Sequence, residues 1–347
     1  MDYVEKYKER DEKSLIALES RLSQAFSNDE LPSSFSFPVT VQYELMTECN
    51  LKCLHCYNRS GDNDLSTKMK FEHWIELSHH LVEKGGISQC ILSGGEPLLM
   101  GKRRLPEIMD ILHNDGTGFV LITNGWLLDE EWIEILGKYR YYWIQVSIDG
   151  ADAAYHDHFR GAEGSWRRAV EGALKISNAG LPLVIAHTVT PQNIDSLDKM
   201  ASLAHQLGAS SLILGEMLPS GRANENMHFM LNRSQRNHLY EKIDLIANKY
   251  KGRLEIQRTS GVSYQLNRYR ITPNMGCIVR PNGDVRMDCM APFVIGNIFE
   301  KNFDKIWEEK GRSCWSDAKV AEYISSIDPY TNESSMFLNH VEPDRVI

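Results

Sequence analysis

The chain contains no apolar run approaching the 18 or so residues that cross a bilayer. Its start, Met1-Asp2-Tyr3-Val4-Glu5-Lys6, is charged where a secretion signal needs an apolar core. It has no excess of basic charge either: 38 Lys and Arg face 47 Asp and Glu, a formal net charge of −9. That balance argues against a nucleic-acid partner or an anionic membrane surface, while leaving room for a basic peptide. No 20–50-residue repeat, coiled coil or low-complexity tract is visible. Cysteine is scarce. Seven cysteines, an odd number without a secretion signal, fit a reducing, cytoplasmic setting better than a disulfide framework. The remaining composition is that of an ordinary globular protein, 42% hydrophobic and 24% charged over 347 residues. That length suffices for one large α/β domain and a smaller one.

Three of the seven cysteines fall in Thr47-Glu48-Cys49-Asn50-Leu51-Lys52-Cys53-Leu54-His55-Cys56-Tyr57, a C-x3-C-x2-C run after a period-two segment, Val39–Leu45, that reads as a strand. Three thiolates on one short loop can hold three irons of a cubane [4Fe–4S] cluster, leaving the fourth iron open to an exogenous chelator. A structural zinc site would want a fourth ligand, usually from a second C-x2-C knuckle, and none follows nearby. His55 sits inside the loop. The spacing, with aromatic Tyr57 after the third cysteine, resembles the radical S-adenosylmethionine (radical SAM) superfamily. The resemblance implies that SAM chelates the open iron, and that an electron from the cluster cleaves it to a 5′-deoxyadenosyl radical.

Residues 3–27 read as a charged amphipathic helix, broken at Asn28–Ser34. Beyond the cysteine loop, apolar runs at Cys90–Leu92, Phe119–Ile122, Trp143–Ile148, Leu183–Val189 and Ser211–Leu214 alternate with helical patterns near 70–84, 104–113, 129–138, 165–179 and 195–207. The alternation predicts an α/β fold with a parallel sheet and right-handed crossovers. A closed eight-unit barrel needs about 250 residues, so a partial (β/α)6 TIM-type barrel is expected. Domain bounds follow: an N-terminal helical extension over 1–38, the barrel over 39–232, and a C-terminal unit with its tail over 233–347.

Chemistry in such barrels collects at the C-terminal strand ends. There lie Gly94-Gly95-Glu96-Pro97, Thr123-Asn124-Gly125, Ser147-Ile148-Asp149-Gly150 and Thr188-Val189-Thr190. Successive glycines let backbone approach a ligand closely. The resemblance assigns the Gly94-Gly95 carbonyls to the ammonium of SAM, with Glu96 supporting its charge. Asn124, Ser147 and Asp149 are then partners for the carboxylate and ribose hydroxyls, and the planar fork of Arg160 suits a carboxylate. His156 and His158 read as structural, and Cys90, inside a strand, as a small buried apolar residue.

After a helical stretch near 234–250, Gly276-Cys277 through Asn282-Gly283 to Cys289 reads as a β-hairpin with Asn-Gly at its turn, and Cys314 follows a helix containing Ile306-Trp307. This resembles the auxiliary-cluster domains called SPASM or, when short, twitch. A full SPASM domain carries about seven cysteines, whereas three remain here, and Gly283 to Cys289 is one residue longer than usual. The resemblance implies a small α+β, twitch-like unit holding one auxiliary [4Fe–4S] cluster on Cys277, Cys289 and Cys314. Its fourth iron is left open or held by Asp288 or Asp317.

Relatives of this architecture often modify ribosomally made peptides. The expected activity is therefore a peptide maturase, oxidoreductase in type, that abstracts hydrogen and crosslinks or otherwise alters its substrate. A reductase, flavodoxin or ferredoxin would supply electrons. The 38 or so residues before the first strand are few for a winged-helix leader-recognition domain, so a separate leader-binding protein is expected. The runner-up is a small-molecule radical SAM dehydrogenase or epimerase. A peptide would want an open barrel end that is wide and acidic or groove-like, a small molecule a closed pocket. An iron–sulfur electron carrier would explain the cysteines but not Gly-Gly-Glu-Pro. The sequence identifies no catalytic acid or base.

Overall fold

The computed structural model describes residues 34–62, 67–259, 261–327 and 345–347. The helix read over residues 3–27 lies outside them. Six strands alternate with helices as expected: β1 (Thr40–Glu44), β2 (Gln89–Ser93), β3 (Gly118–Thr123), β4 (Tyr141–Ser147), β5 (Leu183–Val189) and β6 (Ser211–Glu216). Between them run α1 (Phe71–Glu83), α2 (Arg104–Asn114), α3 (Glu130–Leu136), α4 (Ala153–Arg160), α5 (Ser165–Asn178) and α6 (Leu197–Gln206). The six strands pair in parallel and in chain order, the arrangement of a partial barrel. Among the described residues, no helix is long and apolar enough to cross a membrane.

Local chemistry accounts for these elements. On β1, Val41 and Tyr43 are fully buried, and the Tyr43 ring packs against Trp74 of α1 at 4.8 Å. The alternate residue Gln42 faces the barrel interior, as the period of two requires. The Asp129 and Asp152 side chains cap α3 and α4 by accepting from Trp132 N and Tyr155 N. Helix α5 turns Ala169, Gly172, Ala173 and Ile176 to the sheet.

Two features differ from expectation. After α7 (Arg233–Tyr250), a seventh strand, β7 (Glu255–Arg258), pairs in parallel with β6. Its sequence, Glu-Ile-Gln-Arg, is largely exposed at the sheet edge and lacks the apolar run that marks a buried strand. The C-terminal hairpin of β8 (Gly276–Val279) and β9 (Asp284–Asp288) exists as read, but it does not start a sheet of its own. Strand β8 pairs in parallel with β1, Thr40 opposite Gly276 through Tyr43 opposite Val279. Among the described residues, one sheet of eleven strands therefore runs β11-β10-β9-β8-β1 to β7, with β10 (Ala291–Asn297) and β11 (Arg345–Val346) at the far edge. The helices α8 (Val262–Arg270), α9 (Phe303–Glu309) and α10 (Ala318–Ser326) accompany this half, where Trp307 is buried and donates to Phe35 O at 3.0 Å. One continuous hydrophobic core underlies both halves.

Candidate active site

The cysteine loop leaves β1 at the C-terminal end of the sheet and is fastened to the turn after β2. Leu45 N donates to Ser93 O at 3.0 Å, Gly95 N to Met46 O at 2.8 Å and Glu96 N to Glu48 O at 3.0 Å. The chains approach so closely that a Cβ on residue 95 would stand 1.9 Å from Glu48 O. Only glycine fits there.

Beneath this contact opens a cavity of about 480 Å³ inside the barrel. Cys49, Cys53, Cys56, Tyr57, Gly94, Gly95, Asn124, Ser147 and Arg160 all line it, which brings most of the sequence-derived site together. Burial pushes the Cys49 thiol up to about 12 and the Cys53 thiol up to about 11, with neighbouring acids and thiols adding to it. Such thiols ionise readily only beside a cation, which iron supplies. N–H donors already face the sulfurs: Leu51 N and Asn124 Nδ2 lie 3.5 and 3.9 Å from Cys49 Sγ, and Arg160 Nη1 lies 3.8 Å from Cys53 Sγ. Three thiols on one wall, with donors to their sulfurs, fit a cluster held by three thiolates. No three His, Cys, Asp or Glu side chains are closed to metal-coordinating spacing among the described residues, this loop included.

Several expected contacts lie elsewhere. Glu96 is 1% exposed and Pro97 is buried, and neither lines the cavity. The Glu96 carboxylate accepts from Thr123 Oγ1 (2.8 Å), Asn124 N (2.8 Å) and Leu98 N (3.1 Å), tying the turn after β2 to the end of β3. Burial nevertheless raises its pKa to about 7, against the pull of those donors. Asp149 is also withdrawn from the cavity and wholly buried. It accepts from Thr188 N at 2.7 Å and pairs with Arg160 Nε at 2.6 Å and His55 Nε2 at 3.3 Å. Burial opposes its charge, but Arg160 and then His55 hold the carboxyl well below the usual range. Its oxygens are thus committed to protein groups rather than turned to a ribose. Arg160 reaches the cavity with its carboxylate partner already in place.

His55, stacked on Phe159 at 4.2 Å, is pushed by burial down to about 3 and is neutral near pH 7. His156 accepts from Asp149 N at 3.1 Å, in keeping with a structural role. Sequence reasoning missed His187, Gln42 and Gln145, which also line the cavity. Extending the inward phase of β1 and β4 would have found Gln42 and Gln145, whereas His187 stands out of phase with its cavity-lining neighbours Ala186 and Thr188.

The C-terminal cysteines divide. Cys277 lies in the hydrophobic core, where burial and the nearby Cys314 raise its pKa. Cys314 Sγ receives Asn274 Nδ2 at 3.3 Å. Cys289, just past β9, instead lines the main cavity. Asp288 is half-buried on a second cavity of about 360 Å³, with Cys277, Gln265, Tyr269 and Asn274 on its wall and Gln42 shared with the first. Asp317 caps α10 by accepting from Lys319 N. Among the described residues, no Asp or Glu lines the main cavity.

A cysteine loop at the C-terminal mouth of a partial barrel, over a cavity walled by strand ends, defines a cofactor-dependent α/β enzyme. Residues 43–204 match the model of the Radical SAM superfamily, a family that uses a [4Fe–4S] cluster and SAM. The chain is similar to the AdoMet-dependent heme synthase of Methanosarcina barkeri, 28% identical over 78% of this chain and 82% of that protein. It is also similar to the antilisterial bacteriocin subtilosin biosynthesis protein AlbA of Bacillus subtilis, 26% identical over 85% of this chain and 65% of that protein. In fold it resembles Streptococcus suis SuiB bound to S-adenosylmethionine, with a TM-score of 0.66 at 14% identity over 91% of this chain and 80% of SuiB.

Proposed function

We propose that Cys49, Cys53 and Cys56 ligate the SAM-binding cluster and that the enzyme modifies a ribosomally made peptide. The observation that carries the site reading is the shared cavity: three thiols, the Gly94-Gly95 turn, Asn124 and Ser147 face one another across it. When bound, the cluster and SAM supply an electron and a 5′-deoxyadenosyl radical able to take an unactivated hydrogen. The chain's own residues do the rest. The Gly94-Gly95 backbone receives the ammonium of SAM, while Asn124 and Ser147 address its carboxylate and ribose. Glu96 holds the Asn124 backbone from below, and Asn124 is further fixed by Asn50 Oδ1 at 2.8 Å. Tyr57 closes one wall, its hydroxyl bonded to Glu44 at 3.0 Å. The barrel excludes water from the radical.

The peptide reading rests on the likeness to AlbA. An electron donor such as a flavodoxin, ferredoxin or reductase and a leader-binding protein complete it, in the cytoplasm. The domain division, barrel over 39–232 and twitch-like unit over 233–347, belongs to the same proposal, as does an auxiliary cluster on Cys277, Cys289 and Cys314 with Asp288 or Asp317 beside it. About eight irons per chain, falling to about four in a Cys277/Cys289/Cys314→Ala variant, would support that cluster, and about four in both would remove it.

A second reading, a small-molecule substrate, is favoured by the fuller coverage of the heme synthase, 82% of its length against 65% of AlbA, and by the absence of carboxylates from the cavity wall among the described residues. Anaerobic turnover with SAM and dithionite separates the two. Deoxyadenosine formation stimulated by a precursor-peptide pool, with a mass change on one peptide, supports the maturase. Stimulation only by tetrapyrroles or other small molecules overturns it.

A further inference from the structure

The segment after β6, Pro219-Ser220-Gly221-Arg222-Ala223, approaches none of the strand-end groups assigned above but wraps the outside of the cysteine loop. Ser220 Oγ donates to Tyr57 O at 3.2 Å, Arg222 N to Cys56 O at 2.9 Å and Asn226 Nδ2 to Leu54 O at 3.1 Å. The Arg222 guanidinium, 8% exposed, reaches Cys53 O (2.8 Å), Ser60 O (2.9 Å), Arg59 O (3.2 Å) and Asp62 Oδ1 (2.6 Å). Six loop carbonyls between Cys53 and Ser60 are thus held by one short segment. Gly221 has φ +56° and a Cβ position 2.3 Å from Tyr57 O, so the contact depends on glycine. A small apolar cluster of Phe159, Met217, Ala223 and Phe229, with Leu54 against it, anchors the segment from below.

Fixing each irregular residue costs conformational entropy, and three thiolates reach one cluster only from a single loop conformation. An arginine fork can satisfy several carbonyls at once; a lysine ammonium lacks that planar reach. We propose that Ser220–Asn226 is a clamp that presets the cysteine loop for the cluster, with Arg222 as its positioning residue. This rests on the ligand reading above.

The test is the rate at which a chelator strips iron from the anaerobically reconstituted full chain, followed by visible absorbance. It is run alongside the EPR line shape of the reduced cluster and the melting temperature. Arg222→Lys should release iron about tenfold faster than wild type or more, with a changed line shape and little change in melting. Gly221→Ala should act in the same direction. Arg236→Lys is the control, a buried arginine paired with Glu216 that touches no loop atom, and it should behave as wild type. Arg222→Lys with wild-type release and line shape overturns the clamp. Faster release only in step with a lower melting temperature in both arginine variants overturns it too. A wild-type chain that binds no cluster overturns the ligand reading itself, and the clamp with it.

Discussion

Replacing Arg160 with glutamine should make the proposed cluster harder to reduce. Arg160 Nη1 lies 3.8 Å from Cys53 Sγ. At an effective dielectric near 20, a unit charge at that range is worth about 4 kcal/mol. Sharing of negative charge across the cluster reduces that figure. Asp149 works the other way: it lies 2.6 Å from Arg160 Nε and loses that cationic partner when the arginine goes, keeping Thr188 N and His55. A surviving effect of about 1.4 kcal/mol per electron corresponds to 59 mV, a tenfold change in the reduced-to-oxidised ratio. The sign is fixed, since losing a cation beside the sulfur disfavours the added electron. Breaking a buried ion pair also costs roughly 3–5 kcal/mol of stability. Arg160→Lys and Arg160→Gln/Asp149→Asn are therefore measured beside it. Potentiometric titration followed by EPR should show the midpoint falling most in Arg160→Gln, less in the double variant and least in Arg160→Lys. Equal midpoints in all four proteins would refute the electrostatic reasoning.

Glu96 supplies a pH test: its folded pKa, near 7, lies above the ordinary value of 4.5. A raised acid contributes stability that is complete below the unfolded value and lost as pH rises through the folded one. Denaturant titrations should show stability declining across that window, by up to about 1.4 kcal/mol per pH unit, with the decline flattened in Glu96→Gln. Gly95→Ala places a methyl against Glu48 O and should abolish cluster retention while leaving helix content by circular dichroism largely intact. Cys90 is fully buried on β2, away from both cavities, so Cys90→Ala should keep the full iron content and lose only about 1 kcal/mol of stability.

The parts of this molecule that were legible in the sequence are those specified locally. The C-x3-C-x2-C spacing, the glycine pair after β2 and the alternation of β1 depend on neighbours along the chain, and each stands where it was read. What was not legible depends on distant partners. Strand β7 is held by pairing with β6, not by its own apolar content. The β1–β8 pairing, which joins the two halves into one sheet, links residues more than 230 positions apart. Strand ends could be named, but not the direction of each side chain. Asp149 and Glu96 sit at the right ends, yet both point into protein, where backbone N–H groups take their oxygens. The extra residue between Gly283 and Cys289 has a similar consequence. Asp288, the last residue of β9, lines the second cavity, while Cys289, in the turn just past it, opens on the main one.

The central claim is that Cys49, Cys53 and Cys56 hold a cluster whose open iron takes SAM. The most direct measurement is the EPR spectrum of the dithionite-reduced protein with and without SAM, in wild type and in a Cys49/Cys53/Cys56→Ala variant. The account predicts a [4Fe–4S]+ signal that changes when SAM is added to the wild type and a loss of any SAM-responsive signal in the variant. A wild-type signal indifferent to SAM, or a SAM response that survives the three substitutions, would contradict it.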